Sequence, residues 1–132
     1  MTPPWVLDTS ALMTHFFTEP GWEVIERLLE TEPNQVFINA IVWIEFQVRL
    51  KVVVPDFAER QRTLKIYADL LAQALPVTRE EAQAALELRE ASPTRLPNAD
   101  ALIAATAKLR AATLIHRDAH LAAIPAELLR QY

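Results

Sequence analysis

The sequence contains no cysteine and a single glycine, Gly21. Without cysteine there is no disulfide, no thiolate metal site and no cysteine nucleophile. One glycine cannot build a Walker A loop or the G-x-G-x-x-G turn that binds dinucleotides. The G-x-S-x-G elbow of serine hydrolases is excluded on the same ground. No apolar run reaches the roughly 18 residues of a membrane span. The opening MTPPWVLD has neither the basic start nor the apolar core of a secretory signal. These absences set the expectation of a cytoplasmic protein with no membrane partner. Positive charge is also short, with 13 Lys and Arg against 17 Asp and Glu and a formal net charge of −4. That balance argues at first against a nucleic-acid partner, because basic surface normally supplies such affinity. Setting four carboxylates aside in one metal site, however, would leave 13 acids against 13 bases.

What is present is apolar and periodic. The 132 residues are 52% hydrophobic and 23% charged, as expected for one globular domain spanning residues 1–132. Trp5-Val6-Leu7 is a short apolar run stopping at Asp8, the pattern of a buried strand. Val24, Ile25, Leu28 and Leu29 have helical spacing, with Pro20 near the first turn. Val36-Phe37-Ile38 is a second strand by its β-branched and aromatic content, and Asn39 is placed to cap a helix running to about Lys51. Asp56 with Glu59, and Thr78 with Glu81, are capping-box pairs. They open helices ending near Ala74 and Ala91. Leu75-Pro76-Val77 is a candidate strand between them. LPNADALIAATA, residues 96–107, starts a helix reaching Arg110. Thr113-Leu114-Ile115 is a further strand, and Leu128–Tyr132 a candidate edge strand. Strands alternating with helices predict an α/β fold: a three-layer α/β/α sandwich with a central, mainly parallel sheet.

In such a sheet functional groups gather at the carboxyl ends of the strands. Asp8 ends the first strand at that edge, and Asp118 follows the Ile115 strand at the same edge. The helix carrying Asp100 runs antiparallel to the strand after it, so its N-terminus returns there. Glu45 is the only charge in AIVWIEFQV and lies about 7–9 Å down a helix leaving that edge. Helical side chains lean back toward the N-terminus, which lets Glu45 reach the edge again. Each acid also has an ordinary explanation. Asp8 could cap a helix or turn, Asp100 could simply complement a helix dipole, and Asp118 could be a turn residue. An unpaired Glu45 in an apolar helix is costlier to explain. Four carboxylates sharing one patch would repel and take up protons. A hard divalent cation, Mg²⁺ or Mn²⁺, resolves this with all-oxygen ligation. Such a site can generate a hydroxide nucleophile and hold a phosphodiester for in-line attack. Arg49, Lys51, Arg60, Arg62, Lys65, Lys108, Arg110 and Arg117 are the bases available for phosphates.

The succession D-T-S, a mid-helix Glu, D-A-L-I-A-A-T-A and H-R-D-A-H-L resembles the PIN-domain family. In length and layout it is similar to the VapC-type toxins of toxin–antitoxin pairs. The match runs from about Val6 to Ile124, with VLDTSAL and LPNADALIAATA its most specific pieces. The resemblance implies an α/β/α sandwich acting as a Mg²⁺- or Mn²⁺-dependent endoribonuclease. It also implies a homodimer, held inactive by a small antitoxin protein. It makes Asp8, Glu45, Asp100 and Asp118 the catalytic and metal-binding set, with Ser10 supporting them through its hydroxyl. His116 stands where many relatives carry Thr or Ser, so an imidazole would there orient ligands or contact RNA. The alternative is a PIN-like scaffold that binds RNA or protein without catalysis, which substitution of two or more of these acids would favour. None is substituted.

His116 and His120 lie four apart, a zinc-compatible helical spacing. The intervening R-D-A is not H-E-x-x-H, and the expectation is ordinary surface or core histidines. Trp5, Trp22, Trp43 and Phe46 are assigned to packing, and ERQRTLK to a solvated helix face.

Overall fold

The structure is a computed structural model that describes residues 3–132. Its elements run β1 (Trp5–Leu7), α1 (Thr9–Phe16), α2 (Trp22–Thr31), β2 (Val36–Phe37), α3 (Ala40–Val53), α4 (Phe57–Leu70), α5 (Arg79–Ala91), α6 (Asn98–Leu109), β3 (Thr113–Ile115), α7 (Ala119–Ala122) and β4 (Arg130–Gln131). A 3-10 turn over Pro33–Gln35 precedes β2. The strands form one parallel sheet in the order β2-β1-β3-β4. Every residue of β1 and β3 is buried, which is why both read as continuous apolar runs rather than alternating ones.

From β1 the chain moves one way to β2, then crosses back over β1 to β3. Right-handed crossovers in opposite directions put helices on both faces, giving the α/β sandwich. They also put the switch point at the carboxyl ends of β1 and β3. The register makes that point level: Leu7 pairs with Ile115, and the Asp8 N–H donates to the Ile115 carbonyl at 3.1 Å. Asp8 and His116 therefore leave the sheet side by side.

Two helices are aligned by one buried amide. The Asn39 side chain accepts from the Val42 N–H at 3.0 Å, capping α3, and donates to the Thr106 hydroxyl of α6 at 3.0 Å. Buried alanines at 101, 104, 105 and 107 let α6 lie close against α5 and against β1 and β3. α3 is apolar almost all round. Val42, Phe46 and Leu50 face the core, whereas Ile44, Val48 and Val52 face solvent.

Three expectations are adjusted. α1 has no counterpart in the sequence reading: Asp8 is not the last strand residue but the N-cap of this helix, accepting the Ala11 N–H at 2.8 Å. The Leu75–Val77 strand is reduced to a single bridge between Asn39 and Leu75, because its partner chain turns into α3 immediately after Asn39. α4 ends at Leu70 rather than Ala74, and the Ala72 N–H is used on the Val36 carbonyl of the sheet instead. The Thr78–Glu81 capping box forms in full. At Asp56 the carboxylate accepts the Glu59 N–H at 2.8 Å.

Candidate functional site

A cleft of about 500 Å³ opens at the switch point, lined by Asp8, Thr9, Ser10, Ile44, Glu45, Val48, Arg49, Asp100 and Asp118. All four acids singled out in the sequence meet in it. Each arrives by a different route. Asp8 leaves β1 into α1, and Glu45 comes from the second turn of α3. Asp100 is in the first turn of α6, and Asp118 caps α7 through bonds from the His120 and Leu121 N–H groups at 2.7 and 3.3 Å.

The acids are held by local donors. The Ser10 hydroxyl lies 2.7 and 2.9 Å from the two oxygens of Asp8. The same oxygen accepts the Arg117 N–H at 2.8 Å, so Ser10 joins the ends of β1 and β3. The Thr9 hydroxyl donates to the Glu45 carboxylate. His116 is buried, with Nε2 at 2.7 Å from Gln131 Oε1. Its Nδ1 accepts the Asp118 N–H at 3.1 Å. The imidazole thus fixes the backbone that presents Asp118, with both ring nitrogens engaged inside the protein.

The electrostatics follow from crowding. Burial is the main force raising the Asp100 carboxyl to about 6, with the negative charges of Asp118, Glu45 and Asp8 adding to it. Asp8 is also raised by burial, and by Asp118, against the opposing bonds from Ser10 and Ala11. Two acids in one cleft therefore resist ionisation until a positive charge joins them. Asp100, Asp118 and His120 each bring one ligand atom within 4.8 Å of the others. Asp8 and Glu45 share the cleft without belonging to that tighter group.

A family model described as the PIN domain matches residues 5–127. The chain belongs to the PIN-domain family. Among solved structures, this PIN domain is similar to a chain of a toxin–antitoxin complex from Klebsiella pneumoniae. Identity there is 29%, with a TM-score of 0.69, covering 91% of this chain and 92% of that one. A chain of VapBC2 from Rickettsia felis, solved on a DNA fragment of its promoter, is 23% identical with a TM-score of 0.75. It covers 97% of this chain and 98% of its own. VapC20 of Mycobacterium tuberculosis, a toxin that cleaves the sarcin–ricin loop, is 17% identical with a TM-score of 0.67, covering 90% and 93%. No curated protein matches the sequence.

Thr9 in the PIN domain's cleft and His120 beside Asp118 take parts that the sequence does not reveal. Thr9 sits inside the quoted D-T-S, where its hydroxyl partner on α3 could not be read from the sequence. His120 reads in the sequence as an ordinary histidine, whereas His116 is expected beside the acids. The two do not act as a pair, because His116 turns to Gln131 while Nδ1 of His120 lies 3.3 Å from Asp118 Oδ1. Of the bases listed for phosphates, Arg49 lines the cleft. Arg110 is instead taken up by Glu81 at 3.2 Å, and Arg60 by the Val54 and Pro55 carbonyls.

Proposed function

We propose that this chain is a VapC-like, Mg²⁺- or Mn²⁺-dependent endoribonuclease, a single nuclease domain over residues 1–132. The observation that carries the reading is the convergence of Asp8, Glu45, Asp100 and Asp118 on one cleft, with burial and neighbouring charge raising the Asp8 and Asp100 carboxyls. The donor set fits a hard divalent cation: carboxylate oxygens, hydroxyls beside them and no thiolate. Asp8, Glu45, Asp100 and Asp118 would hold it. When bound, such an ion supplies Lewis acidity and offsets charge on a phosphodiester.

The chain's own residues do the rest. Ser10 orients Asp8, Thr9 fixes Glu45, and His116 sets the backbone entering Asp118. Arg49 on the cleft wall is placed to hold a phosphate of the RNA strand. With the acids neutralised, the −4 charge is no obstacle to RNA binding.

The same reading assigns a small antitoxin protein as partner, a homodimer as assembly and the cytoplasm as setting. Ile44 and Val48 line the cleft and, with Val52, expose an apolar stripe along α3. Such a stripe suits a protein that covers the site better than it suits RNA. The test is incubation of the chain with assorted RNAs and Mn²⁺ or Mg²⁺, beside an Asp100→Asn control. Cleavage that needs the metal and is lost in the control is expected. Cleavage undiminished by the substitution, or needing no metal, would falsify the assignment. Calorimetry showing no acid-dependent metal binding would leave the scaffold alternative in its place.

A further inference from the structure

Asp118 caps α7, and the turn it starts carries His120 back over the same carboxylates. Nδ1 of His120 is 3.3 Å from Oδ1 of Asp118. Ligand atoms of Asp100, Asp118 and His120 all lie within 4.8 Å of one another. Around a cation with bonds of about 2.1 Å, neighbouring ligands stand about 3 Å apart and opposite ones about 4.2 Å. His120 and Asp118 are therefore already spaced as one edge of a coordination shell. Asp100 closes the remaining gap with a small side-chain adjustment. The His120 ring is half exposed, and Asp118 is its only ion-pair partner among the described residues. The other histidine of H-R-D-A-H cannot compete, since both its ring nitrogens are bonded elsewhere.

The geometry points to His120 as a nitrogen ligand at the Asp100–Asp118 side of the cation site, and as the residue that sets this chain's metal preference. The inference rests on the metal-dependent reading above and goes beyond its all-carboxylate ligand set. Mg²⁺ is hard, prefers oxygen and retains water. Imidazole adds affinity for first-row metals, more for Co²⁺ than for Mn²⁺. One ring nitrogen among carboxylates thus favours Co²⁺ first and Mn²⁺ second over Mg²⁺. A merely structural His120, pairing with Asp118 only while no metal is bound, would compete with every metal alike.

These roles separate in the 132-residue chain without RNA. Mg²⁺, Mn²⁺ and Co²⁺ are each titrated by calorimetry into the wild type and His120→Ala. On the inference, the substitution weakens Co²⁺ binding about tenfold, weakens Mn²⁺ binding less, and moves Mg²⁺ by under about twofold. Co²⁺ should also give the wild type a strongly contact-shifted exchangeable imidazole N–H resonance, the mark of a bound ring nitrogen, that His120→Ala lacks. Equal weakening of all three metals, tighter binding of all three, or such a resonance absent from the wild type or retained in His120→Ala would each overturn it. In those cases the nuclease reading stands, provided Asp100→Asn still abolishes metal binding. A wild type that binds none of the three metals overturns both.

Discussion

Asp100 and Glu81 occupy the same helical position, the third residue of α6 and of α5, and each faces the positive end of a helix dipole. Their carboxyls nevertheless move in opposite directions, Asp100 up to about 6 and Glu81 down to about 2. Burial pushes both upward. At Glu81 it is outweighed by the Thr78 hydroxyl and N–H, by Glu81's own N–H, and by Arg110 at 3.2 Å. At Asp100 there is no capping hydroxyl, since Pro97 precedes the helix, and the neighbouring charges are Asp118, Glu45 and Asp8. A helix dipole alone therefore does not decide the state of a first-turn acid; its neighbours do. One region completes its charges internally and serves stability. The other leaves them incomplete, which is the condition for binding something from outside.

The strongest way to break this contrast is to exchange the acids for amides. Asp100→Asn is expected to lower RNA cleavage at least about 100-fold while raising the urea midpoint of the metal-free chain at neutral pH, because the carboxyl raised to about 6 no longer ionises there. A fluorogenic RNA assay beside circular dichroism melts reads both. Glu81→Ala should invert the pattern, with cleavage retained and stability reduced by about 2 kcal/mol in urea titration. The capping box is lost and Arg110 is left without its partner, an effect moderated because Arg110 is partly exposed.

Acid titration of the metal-free chain sharpens the comparison further. Glu81 falls from 4.5 to about 2 on folding, so its contribution is full above pH 4.5 and is lost as pH drops toward 2. Asp100 rises from 3.8 to about 6, so its contribution is full below pH 3.8 and is lost as pH climbs through 6. Urea midpoints followed across this range should rise and then fall. Asp100→Asn should flatten the falling limb and Glu81→Gln the rising one; the reverse assignment would contradict the two environments.

The smallest effect is expected at Gly21, which lies against the Arg117 side chain. Gly21 has φ +96°, and a Cβ there would stand 2.2 Å from an Arg117 guanidinium nitrogen. Gly21→Ala should cost about 1 kcal/mol through its backbone conformation and displace Arg117. Placed in an Arg117→Ala background, it should cost less.

The sheet and the four acids were legible because their signals are independent of packing. Apolar runs such as Trp5-Val6-Leu7 mark strands, chain order sets the crossovers, and crossovers fix which strand and helix ends share an edge. Less legible were features that depend on a partner far along the chain. α1 was hidden because Asp8 can end a strand or begin a helix, and only the Ala11 bond shows the second. The Leu75 strand shrank because the chain it pairs with turns helical after Asn39. Thr9 acquires meaning only once α1 lies beside α3. His120 needed the α7 turn to separate it from His116.

Asp8 and Asp118 each give an oxygen to backbone N–H groups of the helix they cap, Ala11 in one case and His120 with Leu121 in the other. Two demands thus fall on one short side chain, and the common conservative exchanges satisfy only one of them. Glutamate keeps the charge but carries its oxygens too far out to cap; asparagine caps as well as aspartate but carries no charge. On the proposed function, an Asp8→Asn chain should therefore fold as the parent does while leaving RNA intact. If the parent harms the cell that makes it, this silent double is the form in which the molecule can be produced.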